Sequence, residues 1–194
     1  MAKSASKRIG ILGGTFNPVH NAHLYIAKQA LKKLRLDKVI FIPTYIPPHK
    51  KIYGGITSDD RIRMLRLAIE GEKRFVILPY EIRKKGKSYS IRTIRFLKKK
   101  YGKRAELFFL IGSDSLKGLS GWKDIAKLLK LVRFVVVPRP GFGVQRAPGI
   151  LKLSLPKKDI SSTKIRRLLH EGRPIKHFVA KKVARYIKGH GLYR

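Results

Sequence analysis

His20 and His23 stand three residues apart in the run Gly13-Gly14-Thr15-Phe16-Asn17-Pro18-Val19-His20-Asn21-Ala22-His23. Two imidazoles at that spacing on a helix share one face, where together they can hold and neutralise a polyphosphate. The flanking sequence favours that use. Residues 8–12 form a compact apolar stretch of the kind that makes a buried parallel strand. Gly13 and Gly14 let the chain turn sharply and lie close to a ligand. Leu24, Ala27, Leu31 and Leu34 then recur at helical spacing, so the histidines are predicted in the first helical turn or just before it. A helix N-terminus presents unpaired N–H groups and partial positive charge, which favour phosphate. The pattern reads as a nucleotide-binding turn, with mere capping of a helix as the plainer use of the two histidines. Zinc is not indicated, because no Glu follows His20 as in HExxH and cysteine is absent.

Asp159-Ile160-Ser161-Ser162-Thr163-Lys164-Ile165-Arg166 is a second such place. Hydroxyls that open a helix both cap it and offer donors to an anion, and Arg166 would point at the same phosphates. Taken alone, an ordinary N-cap explains these residues as well. Thr44-Tyr45-Ile46-Pro47-Pro48-His49-Lys50 is a rigid basic loop, because consecutive prolines fix the backbone and leave His49 and Lys50 presented outward. It reads as a phosphate contact or as a plain surface turn. Asp114 is the only acid between Leu107 and Lys123. It suits contacts to ribose hydroxyls or to metal-bound water, or else a helix N-cap. Trp122, the sole tryptophan, is either part of a pocket or part of the core.

The first run resembles the HxGH signature of the nucleotidyltransferase superfamily, and specifically the GGTF[DN]PxHxGH segment of bacterial nicotinate-nucleotide adenylyltransferases. Residues 160–166 resemble the ISSTxIR motif, residues 47–50 the PPHK element, residues 134–141 a strand ending in RPG, and residues 183–193 the closing helix with its HGLY tail. The resemblance runs from about Arg8 to Tyr193 with every motif in family order. It departs at Ala22, where the family usually has Gly and where a methyl would narrow the ATP pocket slightly. It departs again at Lys123, in place of a second aromatic residue.

What the resemblance implies is transfer of the adenylyl group of ATP to nicotinate mononucleotide, giving deamido-NAD and pyrophosphate in NAD biosynthesis, with Mg2+ accompanying ATP. It implies catalytic roles for His20, His23 and Arg166. ATP would be held by Gly13, Gly14, Thr15, Phe16, His20, His23, Arg139, Ser161, Ser162, Thr163 and Arg166. The acceptor would meet His49, Lys50, Tyr89, Ser90, Gly112, Asp114 and Trp122. No side chain is expected to ligate a metal directly, and the tail with His190 is expected to be structural. Nicotinamide mononucleotide, phosphopantetheine or FMN as acceptor are rivals within the class. A rival from another class is an RNA-binding protein on a degenerate nucleotidyltransferase scaffold.

The elements that must position these residues alternate along the chain. Apolar runs at 8–12, 38–42, 74–78, 106–111 and 132–137 read as strands, and segments such as 59–69 and 90–101 carry helical periodicity. Such alternation predicts an α/β, Rossmann-like, doubly wound parallel sheet. Ligands bind such sheets outside the carboxyl ends of the strands. The segments after those strands, 13–23, 43–50, 111–115 and 138–141, should therefore line one crevice. A short strand at 150–155 and helices near 162–170 and 175–188 follow, as a small C-terminal helical extension. Residues 1–7 read as a flexible basic leader, 8–194 as a single nucleotidyltransferase domain, and 141–149 as a mobile loop.

The chain has 194 residues, enough for one domain with a sizeable core. No apolar run reaches membrane-spanning length, nothing near the start resembles a signal peptide and cysteine is absent, so the cytoplasm is the expected compartment. Charge is the anomaly. Forty-six Lys and Arg against eleven Asp and Glu give +35, far beyond what one nucleotide requires. Non-specific binding to a polyanion such as RNA is one reading, and basic residues filling solvated surface positions is the other. The bases are scattered in pairs and triplets, and no RGG tract, RRM signature or zinc knuckle accompanies them. Oligomeric state cannot be read from the sequence.

Overall fold

The computed structural model describes residues 6–48, 52, 55–139, 141–142, 149–156 and 159–194. Six strands form one sheet in the order β3-β2-β1-β4-β5-β6, every neighbouring pair parallel. They are β1 (Arg8–Gly14), β2 (Lys38–Pro43), β3 (Phe75–Ile77), β4 (Glu106–Gly112), β5 (Arg133–Val137) and β6 (Ile150–Lys152). This is the doubly wound α/β arrangement that the alternation of runs predicts, with its reversal of strand order between β1 and β4.

The central strands are almost wholly apolar because both faces of the sheet are covered. Leu12, Val39, Phe41, Phe108, Leu110, Val135 and Val137 point to one face. There they meet α1 (Asn21–Lys33), α2 (Ser58–Ile69), α6 (Ser162–His170) and α7 (Lys181–Gly189). Ile9, Ile11, Ile40, Ile42, Leu107, Phe109, Ile111, Phe134 and Val136 point the other way, onto α4 (Ser90–Tyr101) and α5 (Ile125–Leu131). A short α3 (Tyr80–Lys84) lies between β3 and α4.

Local signals account for several boundaries. Thr57 caps α2 by accepting from the Asp60 N–H at 3.1 Å, while Asp60 Oδ2 accepts from the Thr57 N–H at 3.1 Å. Ser161 caps α6 through the Lys164 N–H at 3.2 Å. The last helix departs from its predicted range, starting at Lys181 rather than at 175. Ile175 and Val179 are buried, but they belong to a turn whose Phe178 carbonyl accepts the Asn21 N–H at 2.8 Å. Tertiary capping of α1 thus takes precedence over local helical continuity. The sixth strand is also shorter than 150–155, because β6 pairs only with the three residues Phe134 to Val136 of β5.

Candidate functional site

The carboxyl ends of β1, β2, β4 and β5 open into one cavity of about 470 Å³. It straddles the edge of the sheet, so one wall comes from the face bearing α1 and α6 and the other from the face bearing α3 and α4. Residues from all four segments predicted to share a crevice line it, among them Gly13 to Asn17, Thr44, Gly112 and Arg139.

On the first wall, His20 is the N-cap of α1 and His23 lies in its first turn. Their rings stack with centroids 3.7 Å apart, and the His20 backbone N–H donates to His23 Nδ1 at 3.2 Å. Phe16, held at φ +50, buries its ring beneath this pair and meets His23 edge-on at 5.0 Å. A bulky residue in the left-handed region is strained and must be held there by its surroundings. His20 is only 5 % exposed. Burial first, and the Arg139 guanidinium second, lower its pKa to about 3. His20 is therefore neutral near pH 7, which corrects the expectation that both imidazoles neutralise phosphate by charge. A neutral imidazole can offer a ligand hydrogen bonds but no charge, and the fixed positive charge lining the cavity belongs to arginines.

Arg166 supplies one of these charges. From α6 its Nη1 donates to the Asn17 carbonyl at 2.8 Å and its Nη2 to Thr163 Oγ1 at 3.2 Å. Ser162 Oγ donates to the Pro18 carbonyl at 2.9 Å. The α6 N-terminus is in this way clamped to the β1–α1 turn, 144 residues away in sequence. Arg139 supplies the other charge, its Nη1 pairing with Asp114 Oδ2 at 3.1 Å. Asp114 belongs to a 3-10 turn, Ser113–Ser115, whose N-cap is Gly112, so the N-cap use of Asp114 is not the one observed. A Cβ on Gly112 would collide with both Asp114 and Arg139, which explains the glycine there. Thr15 Oγ1, His20 Nδ1 and Asp114 Oδ1 are buried with no hydrogen-bond partner among the described residues. Buried polar atoms of this kind, turned toward a cavity, suit a ligand that completes them.

The second wall carries Ser90, Trp122 and Phe109. Trp122 meets Phe109 and Phe134 edge-on at 5.9 and 6.2 Å, so one ring serves both core and cavity. Tyr89 is not among the lining residues; its ring instead carries Lys123 Nζ at 4.8 Å and the Arg92 guanidinium at 5.3 Å. His49 and Lys50 lie outside the described residues, as does most of the 141–149 loop and residues 1–5 of the leader. A smaller adjoining cavity of about 230 Å³ shares His20, His23, Asp114, Arg139 and Ser161 with the first. Ala22 lines it, so its methyl narrows this annex rather than the main chamber.

Residues 11–168 match the model of the cytidylyltransferase-like family. The nicotinate-nucleotide adenylyltransferase of Bacillus subtilis is 38% identical over 187 residues, covering 96% of this chain and 98% of that one. The chain belongs to the nicotinate-nucleotide adenylyltransferase family. A Clostridium tetani protein named probable nicotinate-nucleotide adenylyltransferase is 40% identical, covering 97% of this chain and all of its own length. Among solved structures, the Plasmodium falciparum nicotinic acid mononucleotide adenylyltransferase complexed with NaAD superposes with a TM-score of 0.80. Its sequence identity is 19%, with 96% of this chain and 97% of that one covered, so it speaks to the fold.

Two features of this nicotinate-nucleotide adenylyltransferase family member escaped the sequence reading. Glu81, on α3, lines the second wall and accepts from Thr93 Oγ1 at 2.6 Å. It is the only acid between Glu72 and Glu106, so the reasoning applied to Asp114 would have found it. Arg61, 1 % exposed, donates through Nη1 to the carbonyls of Thr15 at 2.8 Å and Thr44 at 2.7 Å. It ties the turn after β1 to the turn after β2, and nothing in the local pattern of α2 announces it. Among the described residues no group of three or more His, Cys, Asp or Glu side chains is arranged to hold a metal ion, and no helix is long and apolar enough to cross a membrane.

Proposed function

We propose that this chain transfers the adenylyl group of ATP to nicotinate mononucleotide, releasing pyrophosphate and forming deamido-NAD. One observation carries the site assignment: the stacked His20–His23 pair and the Ser161–Arg166 helix start, from opposite ends of the chain, meet at one cavity whose far wall holds Trp122 and Ser90. That cavity, of about 470 Å³, falls in the size range of small-molecule sites and adjoins the annex of about 230 Å³.

A 5′-phosphate oxygen of the acceptor attacks the α-phosphorus of ATP in line, the bond to the bridging oxygen breaks, and pyrophosphate leaves on the opposite side. No covalent intermediate with the protein is needed. Such chemistry leaves the protein the tasks of positioning and of stabilising charge on the moving oxygens. His23 and neutral His20 hydrogen-bond the α- and β-phosphates. Ser162, Thr163 and Arg166 hold the β- and γ-phosphates, with Arg139 alongside. Gly13, Gly14 and Thr15 let the nucleotide approach the backbone. A divalent cation, which we take to be Mg2+ arriving with ATP, supplies charge neutralisation on the phosphates, and the unpartnered Asp114 Oδ1 suits a contact to its water shell. Residues 8–194 acting as one domain in the cytoplasm complete the proposal.

Pyrophosphate release from ATP and Mg2+ in the presence of nicotinate mononucleotide, beside nicotinamide mononucleotide and a no-acceptor control, tests the reading. Release dependent on nicotinate mononucleotide is expected. His23→Ala should lower turnover by on the order of a hundredfold or more with an unchanged melting temperature. A fully active His23→Ala enzyme removes the assignment.

A further inference from the structure

The charges around the cavity are segregated by the sheet. Arg139 and Arg166 stand with the histidines and the α6 N-terminus, where phosphates are expected. Across the edge of the sheet the lining is aromatic and hydroxylic, with Trp122, Phe109, Ser88, Ser90 and Thr93. Two acids line the cavity among the described residues, Glu81 and Asp114. Asp114 is paired with Arg139. Glu81 is in no ion pair with any described residue; its neighbours are the hydroxyls of Thr93 and Ser88. Ser88 is itself fixed, its Oγ accepting from the Tyr45 N–H at 3.0 Å. A carboxyl held by two hydroxyls thus lines the same cavity as Trp122 and Phe109, in a protein where bases outnumber acids about fourfold.

We propose that Glu81 is the counter-charge for the pyridinium ring of the acceptor and selects acceptors whose ring carries that positive charge. The proposal rests on nicotinate mononucleotide being the acceptor. In an N-ribosylated pyridine the ring nitrogen is quaternary and permanently positive, whatever the substituent on the ring. Arginines gathered at the phosphate end repel such a ring, and a carboxylate at the other end offsets that repulsion while Trp122 offers it a flat apolar partner. Burial raises the Glu81 pKa, and an adjacent cation stabilises the ionised form against that cost. A carboxylate used only to bind ribose hydroxyls would make no distinction by ring charge.

The test compares nicotinate mononucleotide with its dihydropyridine form, which keeps the ribose, phosphate and carboxyl but has a neutral ring. KM is measured for each at saturating ATP in the wild type, Glu81→Gln and Glu81→Asp. Where the dihydro form is not turned over, its inhibition constant against nicotinate mononucleotide takes the place of KM. Both constants are independent of the fraction of active protein, so partial misfolding does not mimic the effect. Glu81→Gln keeps an acceptor for Thr93 and should raise the constant for the pyridinium form by ~10-fold or more, with that for the dihydro form within about twofold. Glu81→Asp should retain most of the preference. Equal increases for both forms, or no increase for either, overturn the role of Glu81 and leave the adenylyl-transfer reading intact. Absence of wild-type turnover of nicotinate mononucleotide overturns that reading and this proposal with it.

Discussion

His20 shows how burial decides what a residue type does. An imidazole in water is half protonated near pH 6.5, but here burial and Arg139 hold it neutral down to about pH 3. Between those values the unfolded chain binds a proton at this position that the folded chain does not. Stability therefore rises with pH through that window and is lost progressively as pH falls from about 6.5 toward 3. A His20→Asn variant should show a shallower decline of melting temperature between pH 6.5 and 4 than the wild type, read by thermal unfolding across that range. Parallel declines would mean that His20 titrates normally in the folded protein. The residue type and its spacing from His23 were legible in the sequence, whereas its protonation state was not, because no local pattern reveals how deeply a side chain is buried or which arginine lies beside it.

Among the elements, the tail is the least obvious contributor to the site. Tyr193 Oη donates to Asn17 Oδ1 at 2.6 Å inside the protein, and burial pushes the Tyr193 phenol pKa upward. The carbonyl of the same Asn17 accepts from Arg166. The C-terminal segment thus braces the turn after β1 from behind, while α7 is held to α2 by Tyr186 on Asp60 at 2.9 Å and Lys182 on Glu70 at 2.6 Å. Tyr193→Phe removes this buried hydrogen bond, which costs about 0.5–1.5 kcal/mol. Its melting temperature should fall by several degrees, and KM for ATP should rise more than KM for the acceptor if the displaced turn holds phosphates as proposed. Equal KM values to the wild type would confine the tail to a purely structural part. In the sequence the tail reads as structural, and only the tertiary contact links it to Asn17.

At the scale of the whole molecule the imbalance of charge remains. The acids are placed sparingly: Glu106 meets both Arg8 at 2.9 Å and Arg133 at 3.4 Å, joining β4 to its neighbours. Forty-six bases against eleven acids leave a large mutual repulsion, and salt screens that repulsion over about 10 Å at 0.1 M. The melting temperature should therefore rise between ~10 mM and ~200 mM NaCl. Identical values would show that the bases are too dispersed to strain the fold. Nucleic-acid binding that arises from net charge alone should disappear over the same range, and binding that survives physiological salt would point instead to a dedicated polyanion site.

The sequence by itself determined the alternation of strand and helix, and with it the doubly wound sheet, because a strand buried on both faces and a helix buried on one leave different apolar periods along the chain. It also picked out two segments that line the cavity, 13–17 and 161–166, since glycine turns and capping hydroxyls act within a few residues of themselves. Only the tertiary structure decided that Arg61 bridges two strand-end turns, that Asp114 pairs with Arg139, and that Glu81 lines the cavity unpaired by any base among the described residues. Those outcomes depend on which distant residue arrives at a given point in space, and long-range pairing leaves no signature in local spacing.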